Sequence, residues 1–168
     1  LAVDSTENIT VKATYPGMAS QYEVKGSEEC SKIKELALKQ MDLQARVQAV
    51  AMNNHLTEQQ ANDSIEGLIN AYKTDVKLNY IIKAPGKASS YFALFQAIGS
   101  RLIFNPRQNK DDIKMFAAVA TSWDTYYPNS ERGKNLHNIA IEGMKTVRIV
   151  ENEQREMQID ASKVQQTG

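Results

Sequence analysis

The sequence is short of most features that carry chemistry. Cys30 is the single cysteine in 168 residues, which excludes an internal disulfide, a Cys-x-x-Cys redox pair and a Cys-rich zinc site. The 8 glycines are scattered, so no Gly-rich phosphate loop is present. No apolar run approaches the roughly 20 residues that span a bilayer as a helix. Lys plus Arg and Asp plus Glu number 20 each, so no overall field favours nucleic acid or an anionic membrane. The two histidines, His55 and His137, lie in different segments with no carboxylate or cysteine at ligand spacing. No metal and no cofactor is expected.

What is present is an ordinary globular composition, 42% hydrophobic and 24% charged, long enough to bury one proper core. Neither an initiator Met nor a signal peptide opens the chain, and the ends "LAVDSTENIT" and "KVQQTG" are abrupt. Both are the expectation for a fragment of a longer protein.

Hydropathy patterning gives the fold class: mainly α, about five helices in a bundle preceded by a short N-terminal β-hairpin. "NITVKATY" and "SQYEVKG" alternate around the turn-like "PGMA", which predicts strands near 8–15 and 20–25. A lone hairpin is marginal in water, so these strands belong with others or pair with a second copy, giving a homodimer. Ser27 then caps a helix with Glu28 and Glu29 in its first turn. Ile33, Leu36, Gln40, Leu43, Val47 and Val50 form one heptad-like seam. The acid-to-base pairs Glu28–Lys32, Glu35–Lys39 and Asp42–Arg46 repeat on another face and predict one uninterrupted helix to about residue 53.

Thr57 with Gln60 reads as a capping box for a second helix that buries Tyr72, Val76 and Tyr80 and stops at "APG". "KASSYFALFQAIGS" is apolar nearly all round and predicts a third, central helix over 87–100. A turn at "FNPRQN" leads to a fourth helix with Asp111 and Asp112 in its first turn, and Pro128 ends it. A fifth, capped by Asn129 or Ser130, runs to about 157 through Leu136, Ala140, Val147, Val150 and Met157. The expected organisation is a hairpin over 1–26, a helical domain over 27–157 and a linker over 158–168.

Several residues invite a catalytic reading. "SKIK" at 31–34 matches Ser-x-x-Lys, but the companion motifs are missing and both lysines are expected toward water. Asp111 and Asp112 are adjacent, so on a helix they point about 100° apart, and dipole complementarity accounts for them. The densest stretch is "VATSWDTYYPNSERGKNL", residues 119–136, with the chain's single Trp. Trp123 falls seven residues after Phe116 and three before Tyr126, the spacing of one helical face. Aromatics at a helix end beside a proline close the corner of a bundle. The expectation is a packing joint. The alternative is an interaction surface of Trp123, Tyr126, Tyr127 and Arg132, with Tyr127 partly exposed and Arg132 reaching over a ring.

"YEVKGSEECSKIKEL", "SSYFALFQ", "IFNP", "DDIKMFAAVATSW" and "YPNSERGKNL" together resemble the helical region upstream of the thioredoxin fold in TlpA/ResA-like thiol-disulfide oxidoreductases of Bacteroidetes envelopes, which are typically lipoproteins. The resemblance covers about residues 8–155. It implies a β-domain before this chain and a thioredoxin-like domain with Trp-Cys-x-x-Cys after it. It also implies a periplasmic or envelope location, and partners consisting of that thioredoxin-like domain and a client protein. With no Cys-x-x-Cys here, no catalytic residue carries over, and the chain by itself is expected to be no enzyme.

Overall fold

A computed structural model describes residues 7–18 and 20–166, with side chains as far as Gln158. The protein is mainly α, with five α-helices behind a two-stranded antiparallel hairpin at the N-terminus. Its contacts divide it into two compact units, residues 1–104 and 105–168. The division falls inside the range 27–157 expected as one helical domain.

In the first unit, β1 (Thr10–Ala13) pairs with β2 (Tyr22–Lys25), Val11 opposite Val24 and Lys12 opposite Glu23. Gly26 follows at φ +92°, and a Cβ there would meet the Asn8 carbonyl oxygen at 1.9 Å. Glycine alone makes this junction. Ser27 caps α1 (Glu28–Ala51), its hydroxyl accepting from the Cys30 N–H at 3.3 Å. α2 (Glu58–Val76) begins with the expected capping box: Thr57 accepts from the Gln60 N–H at 3.2 Å, and the Gln60 side chain accepts from the Thr57 N–H at 3.0 Å. The helix continues into a π-helical turn, Lys77–Ile81, which turns Tyr80 and Ile81 into the core while Leu78 and Ile82 stay exposed.

The third helix departs from expectation. α3 (Ala88–Leu94) has only 7 residues, and the rest of the apolar stretch folds into β3 (Ala97–Ile98) against β4 (Arg101–Leu102). Gly99, at φ +57°, supplies the left-handed residue that a two-residue hairpin turn requires. The Gln96 carbonyl then accepts the Ile103 N–H at 3.0 Å, so the chain leaves the helix without stranding its amides.

The second unit is a helical hairpin. α4 (Lys110–Tyr126) starts at Asn109, whose side chain accepts from the Asp111 and Asp112 N–H groups at 2.9 and 3.0 Å. α5 (Glu131–Gln166) returns antiparallel to it. α5 continues through 158–166, expected as linker, because no Pro or Gly interrupts the sequence before Gly168. Leu36, Leu43, Val76, Ile81 and Leu94 are buried in the first unit, and Phe116, Val119, Ala120 and Leu136 in the second.

Candidate functional site

The aromatic corner sits where α4 ends and α5 begins. The Tyr127 N–H donates to the Trp123 carbonyl at 2.6 Å, and the Tyr127 carbonyl accepts from the Ser130 N–H at 2.9 Å. Ser130 caps α5, accepting from the Gly133 N–H at 3.4 Å. Trp123 is buried, as is Phe116 seven residues earlier. The ring that packs on the indole is Tyr127, with centroids 5.3 Å apart at 58°; Tyr126, spaced on the same helical face as Trp123, is exposed. Tyr127 has left helical geometry, at φ −139° and ψ 61°, and its side chain folds back over the last turn. Tyr126 is 68% exposed and Tyr127 51%. Arg132 is exposed in the first turn of α5. The corner is a packed joint with two tyrosines on its rim.

The joint is tied by a pair that the sequence spacing concealed. His137 Nε2 lies against the Asp124 carboxylate, joining the second turn of α5 to the last turns of α4. The two residues are thirteen apart in sequence, and only the antiparallel return of α5 brings them together. His55, by contrast, lies in the exposed loop before α2, where its N–H donates to Asn53 Oδ1 at 3.0 Å.

The Ser-x-x-Lys residues are structural. The Ser31 hydroxyl donates to the Ser27 carbonyl at 3.0 Å. Lys34, expected toward water, instead reaches β2, where its ammonium donates to the Tyr22 carbonyl and lies 4.8 Å from the centre of the Tyr22 ring. The β2 edge and the aromatic face together outbid solvent for that charge. Lys39 also departs from expectation, pairing with Asp75 of α2 at 2.7 Å. The Asn79 amide donates to the second Asp75 oxygen at 2.6 Å. Hydrogen bonding by Lys39 is the main reason the Asp75 carboxyl is held below its ordinary value; partial burial opposes it.

Beside that pair, α1 and α2 leave an open groove of about 510 Å³, lined by Leu38, Leu43, Leu68 and Tyr72 with Lys39 and Asp75 on its rim. Below it lies a connected buried polar group. The Tyr72 hydroxyl donates to Gln96 Oε1 at 2.6 Å, while Gln96 Nε2 donates to the Leu36 carbonyl at 2.9 Å and to Gln40 Oε1 at 3.3 Å. Burial pushes the Tyr72 phenol well above its usual range, with Gln96 partly offsetting this. Burial does the same for Tyr80, reinforced by a hydrogen bond with Glu35.

Two carboxylates cap backbone at a distance. Glu29 of α1 accepts from both the N–H and the hydroxyl of Ser89, at 2.9 and 2.8 Å, and so caps the start of α3. Asp112 is buried and accepts from the Asn105 N–H at 2.7 Å, pinning the loop before α4. Its role is therefore more than complementing a helix dipole. Asp111 stays exposed and pairs with Lys114 at 2.8 Å. Cys30 is buried at the first turn of α1.

Among the described residues, no group of three or more His, Cys, Asp or Glu side chains is gathered as a metal site, and no helix is long and apolar enough to cross a membrane. Comparison with protein-family models, curated proteins and solved structures finds no match. The functional reading therefore rests on the residues themselves. Sequence reasoning missed Gln96, Glu29 and Asp124. Their partners are distant in the chain, so residue spacing does not pair them.

Proposed function

We propose that the chain is a non-catalytic helical accessory domain of a cell-envelope thiol-disulfide oxidoreductase, orienting a thioredoxin-like domain of the same protein or contacting its client. The observation that supports this reading is the employment of its reactive side chains as braces. Ser31 and Lys34 fasten the start of α1 and β2. Glu29 caps α3, and Asp112 holds the loop before α4. Groups tied into backbone in this way give a rigid support and are not disposed around a common reacting atom. The redox assignment comes from the resemblance of "YEVKGSEECSKIKEL" and the aromatic corner to the helical region of the TlpA/ResA-like proteins, and so does the envelope location. The test is reduction of insulin disulfides by the isolated chain beside its Cys30→Ser variant. Equal, background rates are expected, and turnover above the variant overturns the proposal.

A second reading has its own observation. Tyr126 and Tyr127 present exposed rings above the buried Trp123, a pairing of rigid aromatic area with polar hydroxyls that suits a protein or peptide partner. Under this reading the chain is a free-standing interaction module. The parent reading frame separates the two: Trp-Cys-x-x-Cys beyond Gly168 supports the accessory domain, and a stop codon supports the module.

A further inference from the structure

The spacing Leu136, Ala140, Gly143, Val147, Val150, Gln154, Met157 alternates four and three residues along α5 and continues in sequence to Ala161 and Val164. α4 covers only its first half. Gly133 lies against Trp123, Gly143 against Ile113, and Lys110, the first residue of α4, pairs with Glu151 at 3.2 Å. α5 has 36 residues and α4 has 17, so at about 1.5 Å per residue α5 runs roughly 54 Å against roughly 26 Å. Past Glu151 the stripe has no helix of its unit opposite it. Val150 is 45% exposed and Met157 64%. A helical extension without a packed face is marginal in water.

We propose that this distal half of α5 pairs, parallel and in register, with the same segment of a second copy of the chain. Two features select that occupant. The stripe carries one polar interruption, Gln154, at a core position. An in-register copy meets it with an identical amide, whose donor and acceptor satisfy each other, as a single polar core residue does when it sets register in a coiled coil. The flanks agree as well. In the parallel arrangement Glu153 falls beside Gln158 of the copy, so this flanking pair brings no two acids together. An antiparallel pair would instead set the column containing Glu153 against itself. This contact is separate from the hairpin edge of β1 and independent of the redox reading.

Sedimentation of the 168-residue chain tests it. The expected result is a concentration-dependent monomer–dimer equilibrium. Val150→Glu/Met157→Glu should weaken it at least about tenfold, leaving Trp123 emission unchanged, because both positions are exposed and remote from the corner. In a Cys30→Ser background, Gln154→Cys and Met157→Cys introduced singly should each give an oxidised dimer, since in-register core positions fall within disulfide reach. A wild-type chain that stays monomeric at high concentration overturns the proposal. So does a dimer that survives the double substitution, which points to the β1 edge, or cross-linking at only one of the two cysteine positions, which indicates antiparallel pairing.

Discussion

Gly143 approaches the Pro106 carbonyl so closely that a Cβ on it would stand 2.2 Å from that oxygen and 3.1 Å from Ile113 Cγ1. The near atom is backbone, in a loop fixed at Asn105 by the Asp112 carboxylate, so it cannot swing aside. Gly133, earlier on the same helix, would place its Cβ at an ordinary 3.6 Å from Trp123 Cβ. Gly143→Ala should therefore destabilise the second unit by about 1–3 kcal/mol through overpacking. Gly133→Ala should be neutral or stabilising by up to about 1 kcal/mol, through helix propensity. The single Trp lies in this unit, so urea titration followed by Trp123 emission reads both.

Gln96 joins three parts of the first unit through one amide, and its removal should be felt beyond its own contacts. Gln96→Leu leaves the buried Tyr72 hydroxyl without its acceptor and should cost about 1–3 kcal/mol. Adding Tyr72→Phe removes the stranded group, so the double variant should lose less than the sum of the singles. Far-UV circular dichroism during denaturant titration checks this.

How far the molecule could be read from its sequence follows the range of each interaction. Ser27, and Thr57 with Gln60, mark helix starts accurately, because a cap is a contact between residues two or three apart. The seam through Leu36 and Leu43 was legible for the same reason. "FQAIGS" was misread as helix because its apolar residues fit either period and only the turn at Gly99 decides between them. Lys39 was assigned to Glu35, four residues away, although Asp75 on the facing helix holds it. At the corner, Trp123 is buried, and its partner ring depends on Tyr127 leaving the helix, which residue spacing does not encode.

Folding lowers the Asp75 carboxyl below its ordinary value of 3.8, chiefly through the hydrogen bond from Lys39. The sign is that of a stabilising acid: the contribution is complete above the unfolded value and lost as pH falls through the lower, folded one. Both side chains keep more than a third of their surface in water, so the pair is worth at most about 1 kcal/mol. Asp75→Asn should lower the melting temperature slightly at neutral pH, and the difference should shrink as pH falls below the unfolded value. The two acid-titration curves, measured by circular dichroism, should draw together as pH falls through the lowered folded value.

At the alkaline end the tyrosines take over. Burial raises the Tyr72 and Tyr80 phenols above the ordinary value of 10.0, so their neutral forms favour the folded state. That contribution is complete below the unfolded value and drains away as pH rises through the higher, folded one, because the unfolded chain releases these protons first. The chain has 7 tyrosines, and of these the buried Tyr72 and Tyr80 should resist ionisation while the fold is intact. The tyrosinate absorbance of this pair should accordingly appear together with loss of helical signal. Tyr72→Phe should make the decline of urea stability above about pH 10 shallower, by up to one proton's worth of slope. Phe at both 72 and 80 should make it shallower still. A single absorbance phase completed while the helical signal is intact would show that neither phenol resists ionisation in the folded chain.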